Sequence, residues 1–231
     1  MLKTDLIKDI LNYLNNNYLT IEQLANQADL HLEQLKALIA NSCIPKHSHT
    51  ITHQIVFHTD IFGDSIITNQ QIFYYHPSLV RWAVKAGQYL KTANFNDVAD
   101  NMKNDFIQEL RQTLIETAEA KQVFKYCFND GGALLKEGVE KVMMEHWPHI
   151  MDGTYGVCLK EISAKSVIIK SITVSILEKW VNNTDLEKEY TYNETNDAAE
   201  LYDKVAACFG PHEISQSTRG RLFNKFKGYS K

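Results

Sequence analysis

The run Phe95-Asn-Asp-Val-Ala-Asp-Asn-Met-Lys-Asn-Asp-Phe-Ile-Gln-Glu-Leu-Arg-Gln-Thr-Leu114 decides the fold class. Phe95, Val98, Ala99, Met102, Phe106, Leu110 and Leu114 recur at three- and four-residue spacing, which places them on one stripe of a long amphipathic helix. Upstream, Pro77 is a helix starter, and Leu79, Trp82, Ala83, Ala86 and Leu90 form a second stripe. Downstream, Gly131-Gly132 breaks the chain before Leu135, Val139, Val142 and Met143, whose spacing predicts a helix leading into His146. Residues 163–181 are rich in β-branched side chains, yet their length and helical neighbours favour a buried helix over a strand. Asn182 to Asn196 reads as a polar loop with at most one helical turn. Ala198, Leu201, Tyr202, Val205 and Phe209 then make a stripe that Gly210 and Pro211 terminate, and a last helix is expected from Pro211.

The N-terminal third reads differently. Leu2, Leu6, Ile10 and Leu14 predict one amphipathic helix that the Asn15-Asn16-Asn17 run ends. Thr20 and Gln23 form a capping box for a helix burying Ile21, Leu24, Ala25 and Ala28; Leu32, Leu35, Leu38 and Ile39 mark another, stopped by Pro45. Two short helices across a tight turn have a helix-turn-helix layout. From His49 to Tyr75, β-prone runs flank the turn signal Phe62-Gly-Asp-Ser65, which predicts a hairpin. The expectation is a mainly α protein: a helix-turn-helix-like module at 1–48, a β-hairpin connector at 49–76 and an irregular α-helical bundle at 77–231.

Composition narrows the function classes. The 231 residues are 44% hydrophobic and 23% charged with a net charge of −4, so a large basic surface for nucleic acid is not expected. The first fifty residues hold one more acid than base: Lys3, Lys8, Lys36 and Lys46 against Asp5, Asp9, Glu22, Asp29 and Glu33. A DNA-reading helix at His31 to Ala40 would have no arginine and would carry Glu33, a poor neighbour for phosphate. Cys43, Cys127, Cys158 and Cys208 form no C-x-x-C pair, as in a cytoplasmic protein with reduced thiols. No apolar run is long enough to span a bilayer, and the N-terminus lacks the apolar core of a signal peptide.

Side chains able to do chemistry concentrate in His146-Trp-Pro-His-Ile-Met-Asp-Gly-Thr-Tyr-Gly-Val-Cys158. Pro148, Gly153 and Gly156 predict that this stretch turns instead of running as one helix. His146 and His149 are weak candidates for a metal pair, with Asp152 or Cys158 as a third ligand; the opposing reading makes His146 a helix C-cap and Trp147 core. Asp152 and Tyr155 are candidates for proton transfer, and Cys158 for a nucleophile, against a reading in which Asp-Gly is a turn and Cys158 a buried apolar residue. A helix from Pro211 would set His212, Ser215 or Gln216, and Arg219 on one face, with Arg221 adding charge, a grip for a carboxylate or phosphate. The opposing reading has these cations complementing a helix C-terminus.

Tyr18-Leu-Thr-Ile-Glu-Gln-Leu-Ala, Cys43-Ile-Pro45, Phe62-Gly63, Tyr75-His76-Pro77 to Trp82, Asp152 to Cys158, Lys165, and Pro211-His212-Glu213 with Ser217, Arg219 and Arg221 resemble the bacterial domain-of-unknown-function 6058 family over nearly the whole chain. The sequence departs from that pattern at His49, where tyrosine is expected, and at Ser166, where an acid is expected. The resemblance implies a role in natural-product biosynthesis and supplies no cofactor or mechanism. The reading is therefore a small-molecule ligand, held by Arg219, Arg221 and Ser215, with His212, Asp152 or Tyr155 moving a proton. The alternative is a regulator using the N-terminal module on DNA or protein.

Overall fold

A computed structural model describes residues 3–183 and 189–229. Within them the chain is mainly α-helical with one two-stranded antiparallel sheet. Its centre is α5 (Phe95–Glu116), started by Asn94, whose side chain accepts from the Asp97 N–H. Val98, Met102, Phe106, Leu110 and Leu114 are buried, as the spacing requires. Around α5 pack α4 (Leu79–Tyr89), α7 (Lys136–Met151) and α9 (Ala164–Asn182). The β-branched run of α9 is helical because both sides of the helix are covered, burying Val167, Ile168, Ile172, Thr173 and Ile176. Ser163 caps it by accepting from the Ser166 N–H.

At the N-terminus, α1 (Lys3–Asn17) precedes α2 (Ile21–Ala28) and α3 (Leu32–Ala40), and the Thr20/Gln23 capping box forms. Leu24, Leu35 and Leu38 join the same core as Leu79, Trp82 and Val98, so α2 and α3 rest directly on α4. The α1 stripe docks at one end: Leu14 is buried, whereas Leu6 and Ile7 are exposed. β1 (His49–Thr59) pairs with β2 (Gly63–Tyr74) around a turn at 60–62, with a bulge between Ile55 and Val56. The base of the hairpin packs through Tyr74, Ile51 and Ile72 on Leu14 and Tyr18; Phe57, Ile61 and Phe62 at its far end are exposed.

Two short helices, α6 (Ala120–Val123) and α8 (Thr154–Cys158), fill connections, and α10 (Tyr192–Val205) packs on α9. A π-helical turn, Arg219–Phe223, runs into α11 (Asn224–Tyr229). Leu177, Ala199, Tyr202, Leu222 and Phe226 make a second, smaller core there.

Three expectations are corrected. α7 continues through Pro148 to Met151. Proline inside a helix forfeits one backbone hydrogen bond, but Trp147 packs on Trp82 and Phe106 with ring centroids 6.2 and 5.5 Å away, so burial holds the last turn in place. α10 begins at Tyr192, ahead of its apolar stripe, because Thr191 and Glu194 form a capping box; of the expected 182–196 loop, residues 184–188 lie outside the described residues. No helix starts at Pro211: residues 211–216 form turns, and Gly210 N–H reaches the Glu213 carboxylate at 3.3 Å.

Candidate functional site

The histidine- and tyrosine-rich segment folds into a corner between α7 and α8. Gly153 makes the turn with φ of +90°, a conformation costly for any residue with a Cβ, and a Cβ there would lie 2.1 Å from the His47 carbonyl oxygen. The close approach lets Lys46 N–H donate to the Met151 carbonyl at 3.0 Å. Gly156 is needed for the same reason: a Cβ would meet Ser48 Oγ at 1.9 Å.

Polar groups of the corner pair with one another. Tyr155 Oη lies 2.5 Å from His146 Nδ1. Burial keeps His146 neutral by lowering its pKa and keeps Tyr155 protonated by raising its pKa, so the phenol donates to the imidazole. Burial alone would raise Asp152, but the Thr154 hydrogen bonds and the nearby His149 outweigh it and hold its carboxylate below the usual range. His149 and Asp152 are 3.7 Å apart and half exposed. No group of three side chains among the described residues is arranged to hold a metal ion, so His146 and His149 gain no third ligand.

On the other side of α8 lies a cleft of about 340 Å³, which no local motif announced. Its walls come from remote stretches: Tyr13, Asn16 and Tyr18 from the α1 end, His76 after β2, Lys160 after α8, and Cys208 after α10. Two backbone contacts bring these together. Lys160 N–H donates to Val205 at 2.8 Å and Ala207 N–H to Cys158 at 3.2 Å, joining the segments after α8 and α10. Tyr18 Oη donates to the Gly156 carbonyl at 3.1 Å, tying in α1. Since the Tyr18 proton is so used, the Tyr13 hydroxyl at 3.4 Å donates to the Tyr18 oxygen.

Behind the tyrosines sits His49. Its ring stands edge-on to Tyr18, with centroids 4.5 Å apart, and Nδ1 lies 4.0 Å from the Glu213 carboxylate. Burial lowers its pKa while Glu213 opposes the shift. His212, 3.8 Å from the same carboxylate, completes a His49–Glu213–His212 row. Burial raises both Tyr13 and Tyr18, most strongly Tyr18. Among the described residues, three buried side-chain atoms lack a hydrogen-bond partner: His49 Nε2, Ser48 Oγ and, in the second core, Tyr202 Oη. Buried polar atoms usually have partners, and a missing one costs about 1–3 kcal/mol.

His76 is fixed differently. Nδ1 accepts from the Ser78 N–H at 3.2 Å and contacts Ser78 Oγ at 2.8 Å, while Ser78 Oγ accepts from Ile162 N–H. A hydrogen bond with the Leu159 backbone favours the charged ring, but burial dominates and lowers the pKa to about 4.

Arg219 is committed to its own chain. Nε and Nη2 donate to the Ala207 and Ala206 carbonyls at 3.1 and 3.2 Å, and Nη1 lies 2.7 Å from Asp203. Its guanidinium also stacks over Phe223, 4.9 Å from the ring centre. It thereby holds the strand-like 206–207 segment beside the cleft, a short way before Phe209, whose φ of +54° is unusual for a bulky residue. Ser215 and Arg221 are exposed and reach neither the cleft nor the α7–α8 corner. Of the expected proton-moving residues, only His212 meets the cleft cluster; Asp152 and Tyr155 belong to the corner.

A model of a family of unknown function, DUF6058, matches residues 102–228. The chain belongs to the DUF6058 family. No curated protein and no solved structure matches it. The cleft of this DUF6058 chain straddles the edge of the matched segment: Leu159, Lys160, Cys208, His212 and Glu213 lie inside it, and Tyr13, Tyr18, His49 and His76 precede it. His49 had one signal in the sequence, its place where the family resemblance expects tyrosine; His212 was a candidate on its own chemistry, Tyr18, His76 and Glu213 stood within the motifs of the resemblance, and Tyr13, Lys160 and Cys208 were not singled out as site residues.

Proposed function

We propose that this chain binds a small anionic metabolite in the Tyr13–Tyr18–His76 cleft, in natural-product biosynthesis in the bacterial cytoplasm. The observation that carries the reading is that Ser48 Oγ and His49 Nε2, on consecutive residues, are buried without partners, with the His49 ring packed against Tyr18 of a cleft walled by tyrosine, asparagine and lysine side chains. Ligand sites combine concavity with a few convergent polar groups. Lys160 lines the cleft, and its ammonium, which donates to the Asp203 carbonyl, supplies positive charge for a carboxylate or phosphate. His49, neutral and backed by Glu213, is the group suited to accept a proton, with His212 sharing the same carboxylate. The four cysteines are free thiols, which suits a reducing compartment.

The alternative, a regulator acting through α2 and α3 on DNA or protein, has the two-helix layout in its favour. Charge is against the DNA version: Lys36 is paired with Glu33 at 2.8 Å on the exposed side of α3.

Native mass spectrometry of the full chain against a pool of small organic carboxylates and phosphate esters tests the reading. A 1:1 adduct is expected, lost in His49→Gln and in Tyr18→Phe while circular dichroism is unchanged. An adduct that survives both substitutions, or none with any member of the pool, defeats it.

A further inference from the structure

We propose that a groove between α5 and α7, remote in sequence from the cleft, binds an amphiphilic carboxylate of the fatty-acid kind. The groove encloses about 650 Å³, within the roughly 300–1,000 Å³ typical of small-molecule sites. Ile107, Val139, Met143 and Trp147 make an apolar floor, and Met144, 71% exposed, forms one wall. An unbranched thioether so exposed beside a concave apolar surface is a pliable lining for a flexible chain. The floor is already shaped, because Trp147 is wedged against Phe106 and Trp82.

Charge selects the occupant. Lys103, Ile107 and Arg111 follow one another at four-residue intervals on α5, so a cation stands at each end of the apolar stripe. Among the described residues neither Lys103 nor Arg111 is in an ion pair, whereas Lys136 across the groove is answered by Glu140 at 3.7 Å. In a chain of net charge −4, a groove with two uncompensated cations over an apolar floor complements a molecule with an oily body and an anionic head. The span from Lys103 to Arg111 is about 12 Å at the helical rise, the length of a medium acyl chain and too short for the several turns of a docked helix.

Calorimetric titration of the full chain with decanoate, decan-1-ol and decylammonium, each below its aggregation concentration, tests this. Decanoate is expected to bind 1:1, about ten-fold tighter than the alcohol and with the ammonium weakest. Lys103→Ala with Arg111→Ala should bring decanoate down to the affinity of the alcohol. Met144→Glu, at an exposed position that folding tolerates, should weaken it at least about ten-fold. His49→Gln, which empties the proposed cleft, should leave decanoate binding unchanged. Equal affinity for acid and alcohol, indifference to the α5 and Met144 substitutions, loss in His49→Gln, or no saturable binding would each overturn the assignment.

Discussion

Tyr155 and Gly156 are neighbours on α8, yet they serve unlike surroundings. Tyr155 faces a corner whose polar groups, His146, His149, Asp152 and Thr154, come from a nine-residue span and pair with each other. Gly156 offers its carbonyl to Tyr18, at the edge of a cleft assembled from four separated stretches, behind which Ser48 and His49 keep unpartnered buried atoms. Groups close in sequence can satisfy one another locally, and that is what density of chemistry along the chain meant here. Polar atoms brought in from a distance by packing can be held open, and such openings are where a ligand gains affinity.

The contrast breaks first at Gly153. Gly153→Ala must place a Cβ on the His47 carbonyl while φ is +90°, so a loss of about 4 kcal/mol or outright misfolding is expected in denaturant titration. A loss under about 1 kcal/mol would mean the corner is not the rigid partner of the 46–48 segment. Arg219 sharpens the same point. If it serves architecture, Arg219→Ala costs about 3 kcal/mol in stability, since two carbonyls and Asp203 lose their donor; a stable variant that only loses ligand would return Arg219 to the site.

The smallest effect is one of pH. His76 is neutral in the fold with a pKa of about 4, against roughly 6.5 in the unfolded chain, so the unfolded state binds the extra proton between these values. Stability is therefore fully present above about pH 6.5 and falls as pH drops toward 4, by about 2 kcal/mol at pH 5. His76→Gln should flatten that part of the melting-temperature profile, and an unchanged slope would assign it to other groups.

The helices were legible because periodicity records which face is buried: α5 followed its stripe residue by residue, and α9 followed length and neighbours despite its β-branched composition. Boundaries failed where capping or aromatic packing overrode the local pattern, at Thr191 and at Pro148. The cleft was not legible, because a stripe says that Leu14 is buried without saying that Tyr13 and Tyr18 meet His49 or that His49 meets Glu213. Arg219 read as a ligand grip from its charge, but its donors face carbonyls that the sequence gives no means of locating.

The π-helical turn at Arg219–Phe223 makes chain length itself a constraint. A turn wider than the usual 3.6 residues spreads residues three apart further round the axis, so Arg219 can turn toward Asp203 while Leu222 enters the second core. Removing a single residue there would restore the ordinary winding and change the angle between the two, so that they could no longer both reach their separate partners, and this stretch can accept exchanges of side chain more readily than a change in the number of residues.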